Sequence, residues 1–362
     1  MLNTERIQKV ATVMGSEEID ALFVSASSDL EYLTGLTPID DERFKGICIY
    51  SDGSFFALTP KLCLDEFKED LGDDVDIFAW SDEEGPLKAI SQAFTKYGVP
   101  GLLGVNDSVK ASHILPVSEE HGLKLKNART VVAAVRMHKS EEEIDLLSKN
   151  GALADEVLKQ IATFIKPGLS ERQVQAKLVE IYESLGGEEV GAGPSAGSNS
   201  ALPHYNKFTG VIEKSDVLRL GFGARFKGYC SDTTRTFFIG EPTEEQRKVY
   251  AIVLEAWMAG ESVVKEGVRA CDVDRAARGV IEKAGYGEFF PHRTGHGIGI
   301  AEHELPDISA TDQTVLKKGM AFSIEPGIYL PGKFGVRIED CVTITEKGAQ
   351  SFTDFPRELI VL

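Results

Sequence analysis

The sequence predicts two domains, an α/β domain over residues 1–128 and a larger α+β domain over residues 129–362. The chain has 362 residues, which is longer than a typical single domain. Helix and strand patterns alternate in the first third of the chain, whereas long helical stretches and two hairpin-like segments follow in the remainder. This change of pattern places the domain boundary near residues 127–130.

The first domain is predicted from short apolar strands that alternate with helical patterns. We predict helices at residues 5–14, 86–97 and 109–115, and strands at residues 21–24, 46–50, 55–58 and 102–105. The turn signal Ser51-Asp52-Gly53 separates two of these strands. No cluster of polar residues in this domain suggests chemistry, so we look for function in the second domain.

Three capping boxes predict the starts of long helices in the second domain. In each box, a hydroxyl side chain and a Glu or Gln three residues later satisfy backbone N–H groups at the start of the helix. The three pairs are Ser140 with Glu143, Ser170 with Gln173, and Thr243 with Gln246. The pairs Pro167-Gly168 and Gly186-Gly187 end two of these helices. Residues 191–200 (GAGPSAGSNS) are predicted to form a Gly/Ser-rich loop.

The composition disfavours nucleic acid and membranes as partners. The formal net charge is −18, so the protein repels phosphate backbones and anionic lipid surfaces. No apolar run approaches the roughly 20 residues needed to cross a bilayer, and the start MLNTERIQKV is typical of an amphipathic helix rather than a signal peptide. Five scattered cysteines without a C-x-x-C pair favour reduced thiols, which predicts a cytoplasmic protein.

The second hairpin pattern, residues 320–344, brings two carboxylates together. Glu325 and Glu339 are equidistant from Gly332 in the predicted turn, so they lie opposite each other on one face of an antiparallel pair. Two carboxylates among apolar neighbours repel each other unless a positive charge lies between them. A divalent cation meets that need. The alternative is a pair of solvated strand carboxylates.

The first hairpin pattern, residues 217–239, offers a single carboxylate. With a turn at residues 225–228, Asp232 is expected opposite Gly221, although a glycine bulge would shift the register by one residue. Glycine inside a strand weakens it and often marks a bulge or a close approach. The stretch HRTGHGIGIAEHE at residues 292–304 then adds three histidines among glycines. Any one of them can be structural or solvated, but together with the paired carboxylates they favour a metal site.

These residues resemble a known family. The segments SDTTRT, HRTGHGIGIAEHE, SIEPGIY and VRIED, in this order, resemble the catalytic signature of prolidases (Xaa-Pro dipeptidases) and aminopeptidase P. The segment ALPHY at residues 201–205 resembles the substrate-side histidine loop of that family. The resemblance covers the second domain and extends loosely to the first. It implies a pita-bread catalytic fold, a bent antiparallel sheet backed by helices with two metal ions, usually Mn, Co or Zn, in its cleft.

The resemblance also implies roles for individual residues. Asp232 and Glu339 would bridge the two metals, and His296 and Glu325 would complete the site of one metal. Further roles fall on residues around this set. His204 and His303 would contact the substrate and the developing tetrahedral intermediate, Glu325 would shuttle a proton, and His292 and Arg337 would contact substrate or support the ligands, with purely structural roles as the alternative for these last two.

The sequence departs from the family at Gly221. The family has an Asp ligand in a D-x-G-A stretch, which here reads Gly221-Phe222-Gly223-Ala224. Glycine has no donor side chain, so one metal loses its terminal ligand, and we expect one well-held ion and weak occupancy by a second. Three interpretations stay open: a metal-dependent Xaa-Pro peptidase that is impaired or uses one metal, a metal-independent C–N hydrolase similar to creatinase, and a non-catalytic binding protein. The first implies a small proline-containing peptide as substrate, and the resemblance suggests a homodimer.

Overall fold

The computed structural model describes residues 2–362, and the chain forms two compact units that meet in sequence between Arg136 and Met137. The first unit thus includes the helix Arg129–Arg136, which begins where the sequence predicts the second domain. This helix buries Val131 and Val132 and packs against the first helix of the chain, which explains why it belongs to the first unit.

The first unit has an α/β structure, as the sequence predicts. Its helices are α1 (Thr4–Ser16), α2 (Ser28–Thr34), α3 (Leu64–Leu71), α4 (Pro86–Tyr97), α5 (Ala111–His121) and α6 (Arg129–Arg136). Its strands are β1 (Ala21–Ser25), β2 (Gly46–Tyr50), β3 (Phe55–Pro60), β4 (Ile77–Trp80), β5 (Leu102–Val105) and β6 (Lys124–Asn127). The strands form one mixed sheet in the order β4-β3-β2-β1-β5-β6.

All seven elements predicted for this unit are present, and five further elements were missed. The missed elements are the short helices α2, α3 and α6 and the edge strands β4 and β6. An edge strand is covered on fewer sides and needs fewer apolar residues. Strand β6, with the sequence KLKN, therefore carries almost no hydrophobic signal.

The second unit combines four helices with three sheets, which are antiparallel except that β18 pairs with β10 in parallel. Its helices are α7 (Glu141–Phe164), α8 (Glu171–Ser184), α9 (Glu244–Val263) and α10 (Ala270–Lys283). Its strands are β7 (Glu188–Ala196), β8 (Val217–Phe226), β9 (Tyr229–Cys230), β10 (Thr233–Phe238), β11 (Gly295–Gly297), β12 (Glu304–Ile308), β13 (Ala321–Ile324), β14 (Gly327–Leu330), β15 (Phe334–Arg337), β16 (Asp340–Thr345), β17 (Gly348–Ser351) and β18 (Ile360–Val361). The sheet orders are β18-β10-β8-β7, β12-β11-β13-β16-β17 and the pair β14-β15. None of the helices in residues 2–362 is long and apolar enough to cross a membrane.

The three predicted capping boxes all form, at the starts of α7, α8 and α9. In each, the hydroxyl accepts a hydrogen bond from the third helical N–H, and the Glu or Gln side chain accepts one from the N-cap N–H. Helix α10 was missed because Arg269 precedes it and provides no side-chain cap.

The helices cover the two hairpins separately. Helices α7 and α8 pack on β8 and β10 through a cluster that includes Leu158, Leu178 and Leu220. Helix α9 packs on β13 and β14 through a second cluster that includes Val253 and Ile324. Each hairpin therefore has one face against helices, which leaves the opposite face for the site.

The hairpin β13–β16, which we call the Glu hairpin, has the predicted register. Gly327 pairs with Arg337 and Ile324 pairs with Asp340, so Glu325 and Glu339 occupy matching positions at the breaks between strands. The prediction that these two carboxylates face each other is confirmed.

The hairpin β8–β10, which we call the Asp hairpin, differs from its predicted register. Thr234 pairs with Gly221, and Gly223 lies beside Asp232, so the prediction that Gly221 faces Asp232 was wrong by two residues. The cause is the turn: Lys227 and Gly228 both have positive φ (49° and 85°) and form a two-residue loop. This turn type matches the twist of the flanking strands and moves the centre of the hairpin towards Gly228.

The two hairpins are joined edge to edge by a pair of backbone hydrogen bonds. The backbone of Thr234 and that of Glu339 exchange hydrogen bonds of 3.3 and 3.1 Å. The guanidinium of Arg235, which is 1% exposed, donates to the carbonyls of Thr234 and Glu339 and to the carboxylate of Asp340. This junction holds Asp232 and Glu339 at a fixed separation.

Candidate metal centre

One cavity of roughly 460 Å³ in the second unit contains every site residue predicted from the sequence. Those residues are His204, Gly221, Asp232, His292, His296, His303, Glu325, Arg337 and Glu339. They come from the Asp hairpin, the Glu hairpin, the β11–β12 segment and the loop before β8. The fold therefore brings together residues that are more than 130 positions apart in the sequence.

The four predicted metal ligands lie on or between strands. His296 is in the middle of β11, whereas Asp232, Glu325 and Glu339 each stand where one strand ends and the next begins. A break in the strand leaves the side chain free of the regular alternation between faces. Three carboxylates can thus turn towards a single histidine.

His296 lies at the centre of the ligand set. Its Nε2 is 3.5 Å from Asp232 Oδ2 and 3.5 Å from Glu325 Oε1. Its Nδ1 is 3.0 Å from the carbonyl oxygen of Gly297, so Nδ1 carries a proton and Nε2 points towards the carboxylates. A hydrogen bond from the second ring nitrogen is the usual way in which a metal-binding histidine is oriented.

Two overlapping groups of donor atoms surround His296. The donor atoms of His296, Glu325 and Glu339 lie within 4.8 Å of one another, and so do those of Asp232, His296 and His303. Carboxylate oxygens with one imidazole nitrogen suit a divalent ion such as Mn, Co or Zn. The residues present therefore fit one ion.

The electrostatics of the site also favour a cation. Burial lowers the pKa of His296, but its hydrogen bond with Asp232 and the charge of Glu325 outweigh this effect and raise the pKa to about 9. Burial and the neighbouring carboxylates raise the pKa of Glu339 well above its usual range, and burial raises that of Glu325. Without a metal, protons must offset the repulsion among these groups, and a divalent ion would displace them.

The two substrate-side histidines lie on the wall of the same cavity. The ring of His303 packs edge-on against that of His296, with the ring centroids 4.1 Å apart. Burial and the charge of His296 lower the pKa of His303 to about 4, so His303 is neutral at neutral pH. His204 is exposed, and Arg219 holds its loop by donating to the carbonyls of Leu202 and Pro203.

His292 is engaged by protein groups at both ring nitrogens. Its Nδ1 donates to the carbonyl of Arg293 at 2.7 Å, and its Nε2 accepts from the hydroxyl of Tyr329 at 2.9 Å. Burial and the nearby charge of Arg337 lower the pKa of His292 to about 3. These contacts favour a positioning role for His292 over direct substrate binding.

Arg337 and Thr234 form a short chain of hydrogen bonds to Glu339. Arg337 Nε donates to Thr234 Oγ1 at 2.9 Å, and this hydroxyl donates to Glu339 Oε2 at 2.6 Å. Arg337 Nε also lies 3.3 Å from Glu339 Oε2, and its Nη1 lies 4.0 Å from Glu325 Oε2. Burial lowers the pKa of the Arg337 guanidinium, but the negative charges of Glu339 and Glu325 outweigh this effect, so the pKa is raised overall.

The cavity floor has few side chains because strands β7 and β8 meet there. Gly193 pairs with Gly221, and Gly191 pairs with Gly223. The prediction that residues 191–200 form a loop was wrong for its first half, since β7 extends to Ala196. Glycine is rare in strands, which misled the prediction, yet here it permits close approach, since a Cβ on Gly221 would lie 2.7 Å from Arg337 Nη2 and one on Gly223 would lie 2.1 Å from the Ser231 carbonyl oxygen.

Sequence reasoning missed several residues of the cavity. Glu302 and Arg293 line the cavity, and burial together with the charge of Asp232 raises the pKa of Glu302. Both residues are adjacent to predicted histidines, so their position in the HRTGHGIGIAEHE segment was an available signal. Thr234 and Tyr329, which hold Glu339 and His292, also lie within the quoted segments SDTTRT and SIEPGIY, but their contacts depend on the register of the strands and could not be predicted from the segments alone.

Comparisons with known proteins agree with this geometry. Residues 145–346 match metallopeptidase family M24, and residues 6–138 match the creatinase/prolidase N-terminal domain. The chain is 34% identical to an Xaa-Pro dipeptidase of Pyrococcus horikoshii over 98% of this chain and 99% of the relative. Among solved structures, a prolidase from Thermococcus sibiricus superposes with a TM-score of 0.93 at 36% identity, with complete coverage of both chains. The dipeptidase PepE from Mycobacterium ulcerans superposes with a TM-score of 0.94 at 36% identity, over 99% of this chain and 97% of the other. The predicted pita-bread fold is thereby confirmed.

Proposed function

This chain belongs to metallopeptidase family M24, and we propose that it uses a divalent metal ion to hydrolyse the peptide bond that precedes proline. The observation that carries the proposal is the convergence of Asp232, His296, Glu325 and Glu339 in a cavity whose wall bears His204 and His303. The names of similar proteins, Xaa-Pro dipeptidase and prolidase, indicate the bond that is cleaved.

The metal would be held by His296, Glu325, Glu339 and Asp232. When bound, a Mn, Co or Zn ion supplies Lewis acidity towards the scissile carbonyl and lowers the pKa of a water molecule. The protein keeps the ligands ready: the Gly297 carbonyl orients His296, and Thr234 with Arg337 orients Glu339. Because these supports are buried, little reorganisation is needed before reaction.

Glu325 is the residue we assign to proton transfer. Hydrolysis removes a proton from the attacking water and delivers one to the proline nitrogen, which must be protonated to leave as an amine. Burial raises the pKa of Glu325, which suits a group that accepts a proton and then returns it. Its Oε1 is 3.4 Å from the hydroxyl of Ser323, which keeps the carboxylate in place.

His303 and His204 are assigned to the substrate. His303 is neutral because of its lowered pKa, so one ring nitrogen carries a hydrogen that can be donated to the oxyanion. His204 stands on the more exposed side of the cavity and would hold the substrate near its peptide group. His292 and Arg337 would act as positioning residues.

We further propose that the enzyme works in the cytoplasm as a homodimer. All five cysteines are free thiols, which fits a reducing compartment. The homodimer follows only from the family resemblance.

The direct test is hydrolysis of an Xaa-Pro dipeptide with added Mn, in the presence and absence of a chelator. We expect turnover that the chelator abolishes and that Mn restores, with much slower cleavage of a matched Xaa-Ala dipeptide. Release of the first residue from an Xaa-Pro-Xaa tripeptide would identify an aminopeptidase rather than a dipeptidase.

Other outcomes point to the two alternatives. Activity on a small C–N substrate that persists in chelator would support a metal-independent hydrolase. No turnover, even in the Gly221→Asp variant, would contradict the peptidase proposal and favour a binding protein.

A further inference from the structure

The space in front of Gly221 is filled by the guanidinium of Arg337. A Cβ atom placed on Gly221 would lie 2.7 Å from Arg337 Nη2 and 3.0 Å from Thr234 Oγ1. The first distance is shorter than real Cβ contacts and the second is tighter than most, so a side chain at position 221 requires the end of Arg337 to shift. The Gly221 side of the cavity therefore presents the guanidinium cation of Arg337.

The described cavity-lining residues of β7 and β8 offer no carboxylate or imidazole to a second metal ion on that side, and the hydroxyl of Thr234 there already donates to Glu339 Oε2. The wall around Gly221 is formed by Gly191, Ala192, Gly193, Phe222 and Gly223, and none of these described residues has a side-chain oxygen, nitrogen or sulfur. Both groups of candidate ligand atoms found in residues 2–362 include His296, and neither includes an atom of strand β8. A second divalent ion would have to share Glu339 and Asp232 while it faces a guanidinium.

The charges of the three carboxylate ligands balance with a single metal ion and the guanidinium. Asp232, Glu325 and Glu339 contribute formal charges of −3 in total, a divalent ion contributes +2, and Arg337 contributes +1. The guanidinium is well placed for this role because it lies 3.3 Å from Glu339 and 4.0 Å from Glu325, with 15% of its side chain exposed. A second divalent ion would make the centre strongly positive, which is unfavourable in a partly buried cavity.

We propose that the guanidinium of Arg337 takes the place of the second metal ion, so that the centre holds one divalent cation and one fixed organic cation. The proposal rests on the proposed function for the first cation only. Arg337 is thus a positioning residue that neutralises Glu339 and holds it, through Thr234, towards the remaining ion. The residues of the Gly221 side do not fit a second metal, and no catalytic step is assigned to one.

The test is the number of Mn(II) ions bound per chain, measured by elemental analysis after dialysis against rising Mn(II). We compare the unaltered chain with Arg337→Gln, which removes the charge, and with Arg337→Lys, which keeps it. The unaltered chain and Arg337→Lys are expected to saturate near one ion. Arg337→Gln is expected to take up about one additional ion at higher concentration, because the carboxylates regain an unbalanced charge.

Electron paramagnetic resonance provides a second readout on the same proteins. We expect the unaltered chain to show the resolved hyperfine lines of isolated Mn(II) at every loading, and Arg337→Gln to show the broadened spectrum of a coupled pair at high loading. Two tightly bound ions in the unaltered chain would overturn the proposal, and so would equal metal counts in all three proteins. Since metal is counted without turnover, failure of this proposal is distinct from failure of the peptidase assignment.

Discussion

The Asp hairpin and the Glu hairpin have similar lengths and meet at the same cavity, yet they contribute differently to it. The Glu hairpin supplies two buried carboxylates, of which Glu339 is 1% exposed and Glu325 is 9% exposed. The Asp hairpin supplies only Asp232, beside a floor of glycines. Pairing of Thr234 with Glu339 joins the two, so the cavity has one wall with two carboxylate ligands and one wall with a single carboxylate ligand.

This asymmetry shows that the two walls of the cavity differ in how far they depend on a bound cation. The carboxylates of the Glu hairpin repel each other, so a cation is needed to keep both ionised. On the Asp hairpin, the side chain of Arg337 fills the space in front of Gly221 and brings a positive charge of its own.

The largest effect is expected from the Glu hairpin. In Glu339→Gln, the buried ligand loses its charge, and we expect kcat/KM for an Xaa-Pro dipeptide to fall by roughly 10³-fold, or about 4 kcal/mol of transition-state stabilisation. The amide also cannot balance Arg337, which remains 3.3 Å away. Initial rates with added Mn and the metal content of the purified variant measure this outcome.

Two further substitutions serve as a control and as a comparison for Glu339→Gln. Glu346→Gln changes a carboxylate that follows β16 and is 83% exposed, and it is expected to leave activity unchanged. Asp232→Asn changes the ligand of the other hairpin, whose side chain is 12% exposed, and we expect a smaller loss of roughly 10²-fold. A larger loss of kcat/KM in Asp232→Asn than in Glu339→Gln would contradict our view that the Glu hairpin contributes more to the site.

The sequence predicted the site better than it predicted the strand around Asp232. The facing of Glu325 and Glu339 follows from symmetry about a turn with a clear Pro-Gly signal, and the register confirms it. The Asp hairpin was misplaced by two residues because Lys227 adopts a positive φ that its residue type rarely shows. Hydrophobic pattern alone did not locate that turn.

Contacts that depend on tertiary packing could not be predicted from the sequence. The motif residues predict that Arg337 supports a carboxylate, but not that its guanidinium fills the space above Gly221. That position depends on the pairing of Gly221 with Thr234, and hence on the corrected register. Similarly, strand β7 could not be read from a Gly/Ser-rich segment, because its pairing with β8 supplies the stability that its composition lacks.

A smaller effect, on stability, distinguishes the two glycines of the Asp hairpin. A Cβ on Gly223 would lie 2.1 Å from the carbonyl oxygen of Ser231, which is fixed backbone. A Cβ on Gly221 meets mainly the end of the flexible Arg337 side chain. We therefore expect Gly223→Ala to lower the free energy of unfolding by roughly 1–3 kcal/mol, and Gly221→Ala by less than about 1 kcal/mol.

Urea unfolding in chelator measures both glycine variants without any contribution from metal binding. The fluorescence of Trp257 in a Trp80→Phe background reports on the second unit, since the chain has only these two tryptophans. Equal destabilisation by the two substitutions would show that the guanidinium is held as rigidly as the backbone, and that the space above Gly221 is not adaptable.

The smallest effect tests whether the two hairpins unfold together. Ser170 caps α8, which packs behind the Asp hairpin, and Thr243 caps α9, which packs behind the Glu hairpin. Either Ser170→Ala or Thr243→Ala removes a hydrogen bond to the first turn of its helix and is expected to cost about 1 kcal/mol, whereas Ser170→Gly should cost only a few tenths. Neither variant should change the amount of bound metal.

If the junction at Arg235 couples the hairpins, both alanine variants shift one common unfolding transition of Trp257 fluorescence by similar amounts. A shift caused by Thr243→Ala alone would mean that the Trp257 half unfolds by itself, and that the Asp hairpin keeps its own stability on the far side of the cavity.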